Sequence, residues 1–340
     1  MDMVEDLINS ENCCDLSIIS PVYNEQKNLN ELYERIKKVL PAHLKWELLL
    51  IDDGSRDLTQ QVIREICSRD KRVCGIFLSR NYGHQIALTA GYDAAKGRIV
   101  ISLDGDLQHP PEVIPQILSL WEQGYDIVYA RRKIDHKKVG WFKGITSRLF
   151  YRIMRKVFRV NLVEDVADFR LMTRKVVEHF LKYRESTRFL RGIVGDLGFK
   201  YAIVDYNQDI RRSGETKYNL RKMIGFALNG ITSFSNAPLR VSTIIGLIIS
   251  SFSIIYAAWI MYYKVVYGVV SGLASIMVGI FFIGGVQLIS IGILGEYIAN
   301  IFTEVKRRPL YCISDIVGKE EKDISNRDHR LSGKAYSSRA

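Results

Sequence analysis

Three short acidic runs stand out by residue type: PVYNE (Pro21–Glu25), DDGS (Asp52–Ser55) and DGDLQ (Asp104–Gln108). Asp104 and Asp106 are spaced D-x-D, which puts both side chains on one side of an extended turn. Such a pair can hold a hard divalent cation, Mg²⁺ or Mn²⁺, that bridges a diphosphate. Any one of these residues alone reads as turn chemistry, because Asp and Asn often end strands by bonding their own backbone. Three acidic loops on one edge of one sheet are harder to dismiss.

Each run follows an apolar, β-rich stretch. LSIIS (Leu16–Ser20), ELLLI (Glu47–Ile51), VCGIFL (Val73–Leu78), RIVISL (Arg98–Leu103) and DIVYA (Asp126–Ala130) read as strands. Helical patterns fall between them at Asn28–Leu40, Leu58–Ser68, His84–Ala95 and Pro111–Trp121. Asn28 and Asp57 are expected N-caps, and Gly97 and Gly124 expected stops. Alternating strands and helices predict an α/β domain with a mostly parallel sheet covered on both faces. Ligands in such sheets bind at the carboxyl ends of the strands, where the acidic runs sit. There is no GxGxxG and no GxxxxGK[ST], which argues against a dinucleotide-binding domain and a P-loop NTPase.

The chain has 340 residues and a formal net charge of +11, enough for one large domain or two small ones. Its five cysteines form no CxxC pair, and the odd number points to a reducing compartment. The acidic start, MDMVEDL, has no apolar core, so no secretory signal is expected. From Val241 to Tyr263, and again from Val265 to Gly295, there is no Asp, Glu, Lys or Arg. About 20 apolar residues cross a bilayer core, so two transmembrane helices are expected. Arg240 before the first span and Lys306–Arg308 after the second are expected to place both termini and the α/β domain in the cytosol. The location is then the plasma or inner membrane. Gly279, Gly284, Gly285, Gly292 and Gly295 suit close helix packing. That leaves open packing within the chain or a homo-oligomer, a tetramer included.

Trp141–Val160 alternates aromatic and aliphatic residues at helical spacing with Lys143, Arg148, Arg152, Arg155, Lys156 and Arg159. Beside two spans, this basic amphipathic pattern predicts a helix lying in the membrane interface. Asn219–Phe234 carries a similar pattern and is expected to dock the domain on the bilayer. The positive charge is thus assigned to membrane and phosphates, not to nucleic acid. His84 and Gln85 are expected to cap or pack a helix. His43, His136 and His179 read as surface residues.

The acidic runs, with SRNYGHQIALTAGYDAAKG (Ser79–Gly97), DGDLQHPPE (Asp104–Glu112) and DFRLMTR (Asp168–Arg174), resemble family-2 glycosyltransferases of the GT-A fold. TRFLRG (Thr187–Gly192), RRSGETKY (Arg211–Tyr218) and LGEYIANIFTEVKRRPLY (Leu294–Tyr311) resemble the polyisoprenyl-phosphate group. Bactoprenol glucosyltransferases fit better than dolichyl-phosphate mannose synthases. The resemblance runs from about Leu16 to Tyr311.

It implies inverting transfer of a sugar from a nucleotide-sugar, UDP-linked by default, to a polyisoprenyl phosphate such as undecaprenyl phosphate. Asp52 and Asp53 would meet the base and ribose, with Pro21, Tyr23 and Glu25 lining that pocket. Asp104 and Asp106 would hold the cation, with Gln108 close by, and Asp168 would be the catalytic base. Arg131, Arg170, Arg211 and Lys217 would supply positive charge to the diphosphate or the acceptor phosphate.

Two positions depart from the family pattern. His109 stands where Asp usually follows DLQ, and Gly195-Asp196 where tryptophan is common. His109 reads either as a pH-sensitive or metal-adjacent group or, more simply, as a substituted helix-entry residue.

The implied layout is an extension at 1–15, the GT-A domain at 16–218 and an interface segment at 219–236. Spans follow at 237–263 and 273–298, then a cytosolic tail at 299–340 with a disordered end. A processive polysaccharide synthase is disfavoured by the lack of QxxRW and of further spans. A non-catalytic sugar-nucleotide-binding scaffold is disfavoured by intact Asp104, Asp106 and Asp168.

Overall fold

The computed structural model describes residues 14–133, 166–186, 188–207, 237–267 and 272–318. Arg211, Arg212, Lys217, the Trp141–Val160 and Asn219–Phe234 segments, His136 and the tail beyond Gly318 lie outside them.

Eight strands form one sheet: β1 (Leu16–Val22), β2 (Trp46–Asp52), β3 (Val73–Leu78), β4 (Ile99–Ser102), β5 (Ile127–Arg132), β6 (Val166–Thr173), β7 (Tyr201–Tyr206) and β8 (Ile313–Val317). Their order is β7-β5-β6-β4-β1-β2-β3-β8. The β4-β1-β2-β3 block is parallel throughout, while β6 runs antiparallel to β4 and β5, and β8 antiparallel to β3.

Helices cover both faces. On one face pack α1 (Leu29–Val39), α2 (Thr59–Arg69) and α4 (Ile114–Glu122), burying Leu32, Ile36, Ile63 and Ile117 against Leu48 and Leu50. On the other pack α3 (His84–Ala94), α5 (Arg174–Phe180) and α6 (Leu190–Asp196), burying Leu88, Tyr92, Val177 and Ile193 against Leu49 and Ile51. Successive β2 residues feed opposite cores, which is why the strand reads as an unbroken apolar run.

The expected tail behaves differently from 299 onward. Helix continues to Val305, and the chain then returns Ile313–Val317 to the sheet as β8. Ser79 N donates to Cys312 O at 2.9 Å, Tyr311 Oη to Asp93 Oδ2 at 2.8 Å, and Arg64 pairs with Asp315. Ending the chain after Arg308 should therefore expose the β3 edge and lower the melting temperature, read by differential scanning fluorimetry. A truncated protein that melts like the full chain would remove β8 from the fold.

A second unit contains two long helices, α7 (Ala237–Tyr267) and α8 (Leu273–Val305). Both are long and apolar enough to cross a membrane. Their apolar side chains point outward, Phe252 being 70% and Leu288 72% exposed, which no soluble core helix would show. Ser242 Oγ bonds Ser290 Oγ at 2.9 Å across the pair. Tyr256, Trp259, Tyr263 and Tyr267 form a ladder of ring contacts along α7.

Candidate active site

Because β4, β1 and β2 are adjacent and parallel, the loops leaving them converge, and the three acidic runs share one sheet edge. The first two loops are stitched together. Arg56 N donates to Asn24 Oδ1, Asn24 N to Ser55 Oγ and Glu25 N to Thr59 Oγ1, each at 2.9 Å. The Glu25 carboxylate accepts Asn28 Nδ2 at 2.5 Å, Pro21 is buried within β1, and Tyr23 is 42% exposed.

Asp52 accepts Gln60 Nε2 at 2.8 Å. Asp53 accepts the backbone N–H groups of Tyr82 and Gly83 at 2.7 and 2.9 Å. Burial pushes the Asp53 carboxyl above its ordinary range, against those two donors. Gly54, at φ +70°, lets this loop lie on the next one, since a Cβ there would come within 2.6 Å of the Arg80 carbonyl carbon.

The D-x-D turn is tightly determined. Leu107 is left-handed at φ +61° yet only 4% exposed, a conformation costing about 1–3 kcal/mol that its surroundings must impose. Asp106 Oδ1 accepts Gln108 N at 3.1 Å. Asp104 Oδ2 lies 2.9 Å from His109 Nε2, and His109 Nδ1 makes a short hydrogen bond with Tyr206 Oη. Burial alone would raise the Asp104 carboxyl; the His109 hydrogen bond and the imidazoles of His84 and His109 outweigh it and hold it low. Burial pushes the Tyr206 hydroxyl up to about 12.

Asp168 sits on β6, 4% exposed, facing α3 and α6. It pairs with Arg170, accepts Gln85 Nε2 at 3.1 Å, and lies 3.4 Å from Arg191 Nη2. His84 Nε2 stands 3.5 Å from Asp168 Oδ2 and 3.3 Å from Asp104 Oδ1, between the two carboxylates. Burial opposes the Asp168 charge, but His84, Arg170 and Arg191 overcome it and hold the group far below the usual carboxylate range.

Several expectations change. Arg170 is 1% exposed and lies behind Asp168, so it is a counter-charge to that carboxylate and not an open phosphate contact. Arg131 is engaged by Asp205 at 2.6 and 3.0 Å. His84 is no mere cap, because the sharp turn at Gly83 (φ +96°) aims it into the acidic cluster. His109 is no mere helix-entry residue. Gln85, expected only to cap or pack a helix, bonds Asp168, and Arg191 and Tyr206 are functional neighbours that the sequence does not single out.

Asp104 Oδ1 is buried and makes no hydrogen bond, with His84 Nε2 3.3 Å away, so it is an oxygen that a cation could take. Asp104 and Asp106 offer only oxygen, which fits Mg²⁺ or Mn²⁺. Among the described residues no group of three or more His, Cys, Asp or Glu is assembled for a metal.

The sequence profile described as "Glycosyl transferase family 2" matches residues 17–181. A Synechocystis protein named an uncharacterized glycosyltransferase is 42% identical over 308 residues, covering 90% of this chain and 96% of its own. The prophage bactoprenol glucosyl transferase homolog of Escherichia coli is 40% identical, covering 88% and 99%. Bactoprenol glucosyl transferase of Shigella phage SfII is 41% identical, covering 88% and 97%.

Proposed function

The chain belongs to glycosyl transferase family 2 and is a glycosyltransferase, and from that premise we propose the following reaction. It transfers a sugar from a UDP-sugar to undecaprenyl phosphate at the cytosolic face of a membrane, inverting the anomeric carbon. One observation carries the reading: Asp104 and Asp168 lie on either side of His84 Nε2, at 3.3 and 3.5 Å, on the edge that also holds Asp53 and Asp106. The bactoprenol glucosyl transferase relatives support the lipid acceptor and make UDP-glucose the first donor to test.

In this reading Asp53 and the loop it grips hold the nucleoside, with Asp52, Pro21, Tyr23 and Glu25 shaping that end. A divalent cation held by Asp104 and Asp106 would neutralise the diphosphate leaving group. A phosphate oxygen of the lipid attacks the anomeric carbon from the face opposite the diphosphate, and the carbon–oxygen bond to UDP breaks. The acceptor phosphate is already nucleophilic and needs no strong base. Asp168, kept ionised by its basic neighbours, orients it through them. Arg191, 41% exposed, supplies positive charge on the open side. Arg211 and Lys217 are assigned the same task from sequence.

Topology supports two crossings. β7 precedes the helix pair and β8 follows it, yet both are strands of one sheet. Only an even number of crossings returns the chain to the side it left. Arg240 and Lys306–Arg308 flank the pair and favour the cytosol for that side.

Membranes carrying the full chain, given labelled UDP-glucose and undecaprenyl phosphate, should form an organic-extractable labelled lipid. EDTA should stop the reaction, and added Mg²⁺ or Mn²⁺ should restore it. A product that is long polysaccharide would favour a processive synthase, and full activity in EDTA would remove the cation.

A further inference from the structure

We propose that His109, locked by Tyr206, is the residue that positions Asp104 for the divalent cation. This rests on the reading above, in which Asp104 and Asp106 share that ion with the nucleotide. His109 is 3% exposed, its ring lies against Phe169 at 5.7 Å between centroids, and each ring nitrogen has one partner. Asp104 is a carboxylate acceptor, so Nε2 must carry the ring proton and donate to Oδ2. In the neutral ring Nδ1 is then the acceptor for the Tyr206 hydroxyl, and in either protonation state this second bond fixes the ring orientation. The consequence falls on the other oxygen. With Oδ2 tied to His109, the carboxylate is oriented so that Oδ1 is the buried oxygen without a hydrogen bond, with His84 Nε2 3.3 Å from it.

The anchor reaches across the sheet. Tyr206 ends β7, an edge strand, and Phe169 sits on β6, so the turn after β4 is held by two strands beyond it. An acidic residue at position 109 could not do this, because it would repel Asp104. His109 is therefore a positioning residue that sets how tightly the cation is held, without touching substrate. Partners of metal-binding groups of this kind are worth about 10–100-fold in metal affinity.

The test is Mn²⁺ binding to the full chain in detergent with UDP present, read from the electron paramagnetic resonance signal of free Mn²⁺. His109→Leu should raise the Mn²⁺ Kd by about 10–100-fold. His109→Gln, whose amide can still donate to Asp104, should recover most of that loss. Tyr206→Phe, which removes only the hydroxyl, should weaken binding less than His109→Leu, and carries the test should that variant not fold. UDP affinity in EDTA should stay at the wild-type value in all three, which a merely structural role for His109 would not ensure. Wild-type Mn²⁺ affinity in both His109→Leu and Tyr206→Phe overturns the proposal. So does a glutamine variant as weak as leucine, since packing would then be the whole effect. Asp104→Asn separates the two levels. If it weakens Mn²⁺ binding while the His109 variants do not, only this inference fails; if it too binds normally, the cation reading fails with it.

Discussion

Asp168→Asn is expected to lower glycosyl transfer by about 10²-fold or more, the scale lost when reacting groups are misplaced by about 1 Å. The apparent KM for the UDP-sugar should change little, because that ligand is assigned to Asp53 and the D-x-D pair. Stability should fall as well. Arg170 is 1% exposed and pairs with Asp168, and breaking a buried pair costs about 3–5 kcal/mol. Asparagine keeps an acceptor oxygen, so the loss should sit at the lower end.

The pH dependence of that stability has a defined sign. The folded-state pKa of Asp168 is depressed, so its stabilisation is fully present above the unfolded value of about 4. It is lost only as pH falls from there through the folded value. No activity limb between pH 5 and 9 should belong to this carboxyl. Turnover at saturating donor and lipid, with a melting curve for each variant, separates chemistry from folding. Normal turnover in a folded Asp168→Asn protein would exclude it from the reaction.

What the sequence made legible follows the strength of local signals. VCGIFL became β3 with its predicted bounds, and β1, β2, β4 and β5 grew or shrank by a residue or two, because buried parallel strands are unbroken apolar runs. Gly124 is the predicted helix stop, left-handed at φ +85°. Asp57 lies one residue outside the assigned cap, though its Oδ1 still accepts Thr59 N at 3.0 Å. The predicted Pro111–Trp121 helix opens as a 3₁₀ turn over Pro111–Val113 before α4.

The misses share a cause. β6 carries Asp168 and Arg170 facing one core, so polar residues interrupt the apolar run that marks a strand. β8 is a short edge strand far along the chain, and ISDIV carries little signal until β3 is there to pair with it. Contacts such as His84 with Asp168 and His109 with Tyr206 join positions far apart in sequence, where spacing says nothing. The resemblance found the acidic residues. It named Arg170 as well, though as a phosphate contact, and did not name Arg191 or Tyr206.

Asp106→Asn is the second large effect expected, a loss of turnover to background with the fold intact. Its Oδ1 accepts Gln108 N, a bond that an asparagine oxygen can keep, so the left-handed turn at Leu107 should survive. Only the negative charge goes. Asp104 Oδ2 is tied to His109, whereas Asp106 Oδ2 makes no hydrogen bond among the described residues and stands partly exposed on the binding edge. In the proposed reaction it would share with Asp104 the cation that neutralises the departing diphosphate. Charge stabilisation aimed at a leaving group is worth several kcal/mol of barrier, about 10²–10³-fold for a single donor and more for a lost cation. Binding should discriminate the cause. UDP should bind wild type and variant equally in EDTA, whereas added Mn²⁺ should tighten UDP only in wild type. If Mn²⁺ tightens UDP binding to Asp106→Asn as well, the cation is held without Asp106. The loss of turnover would then lie in how the sugar itself is oriented.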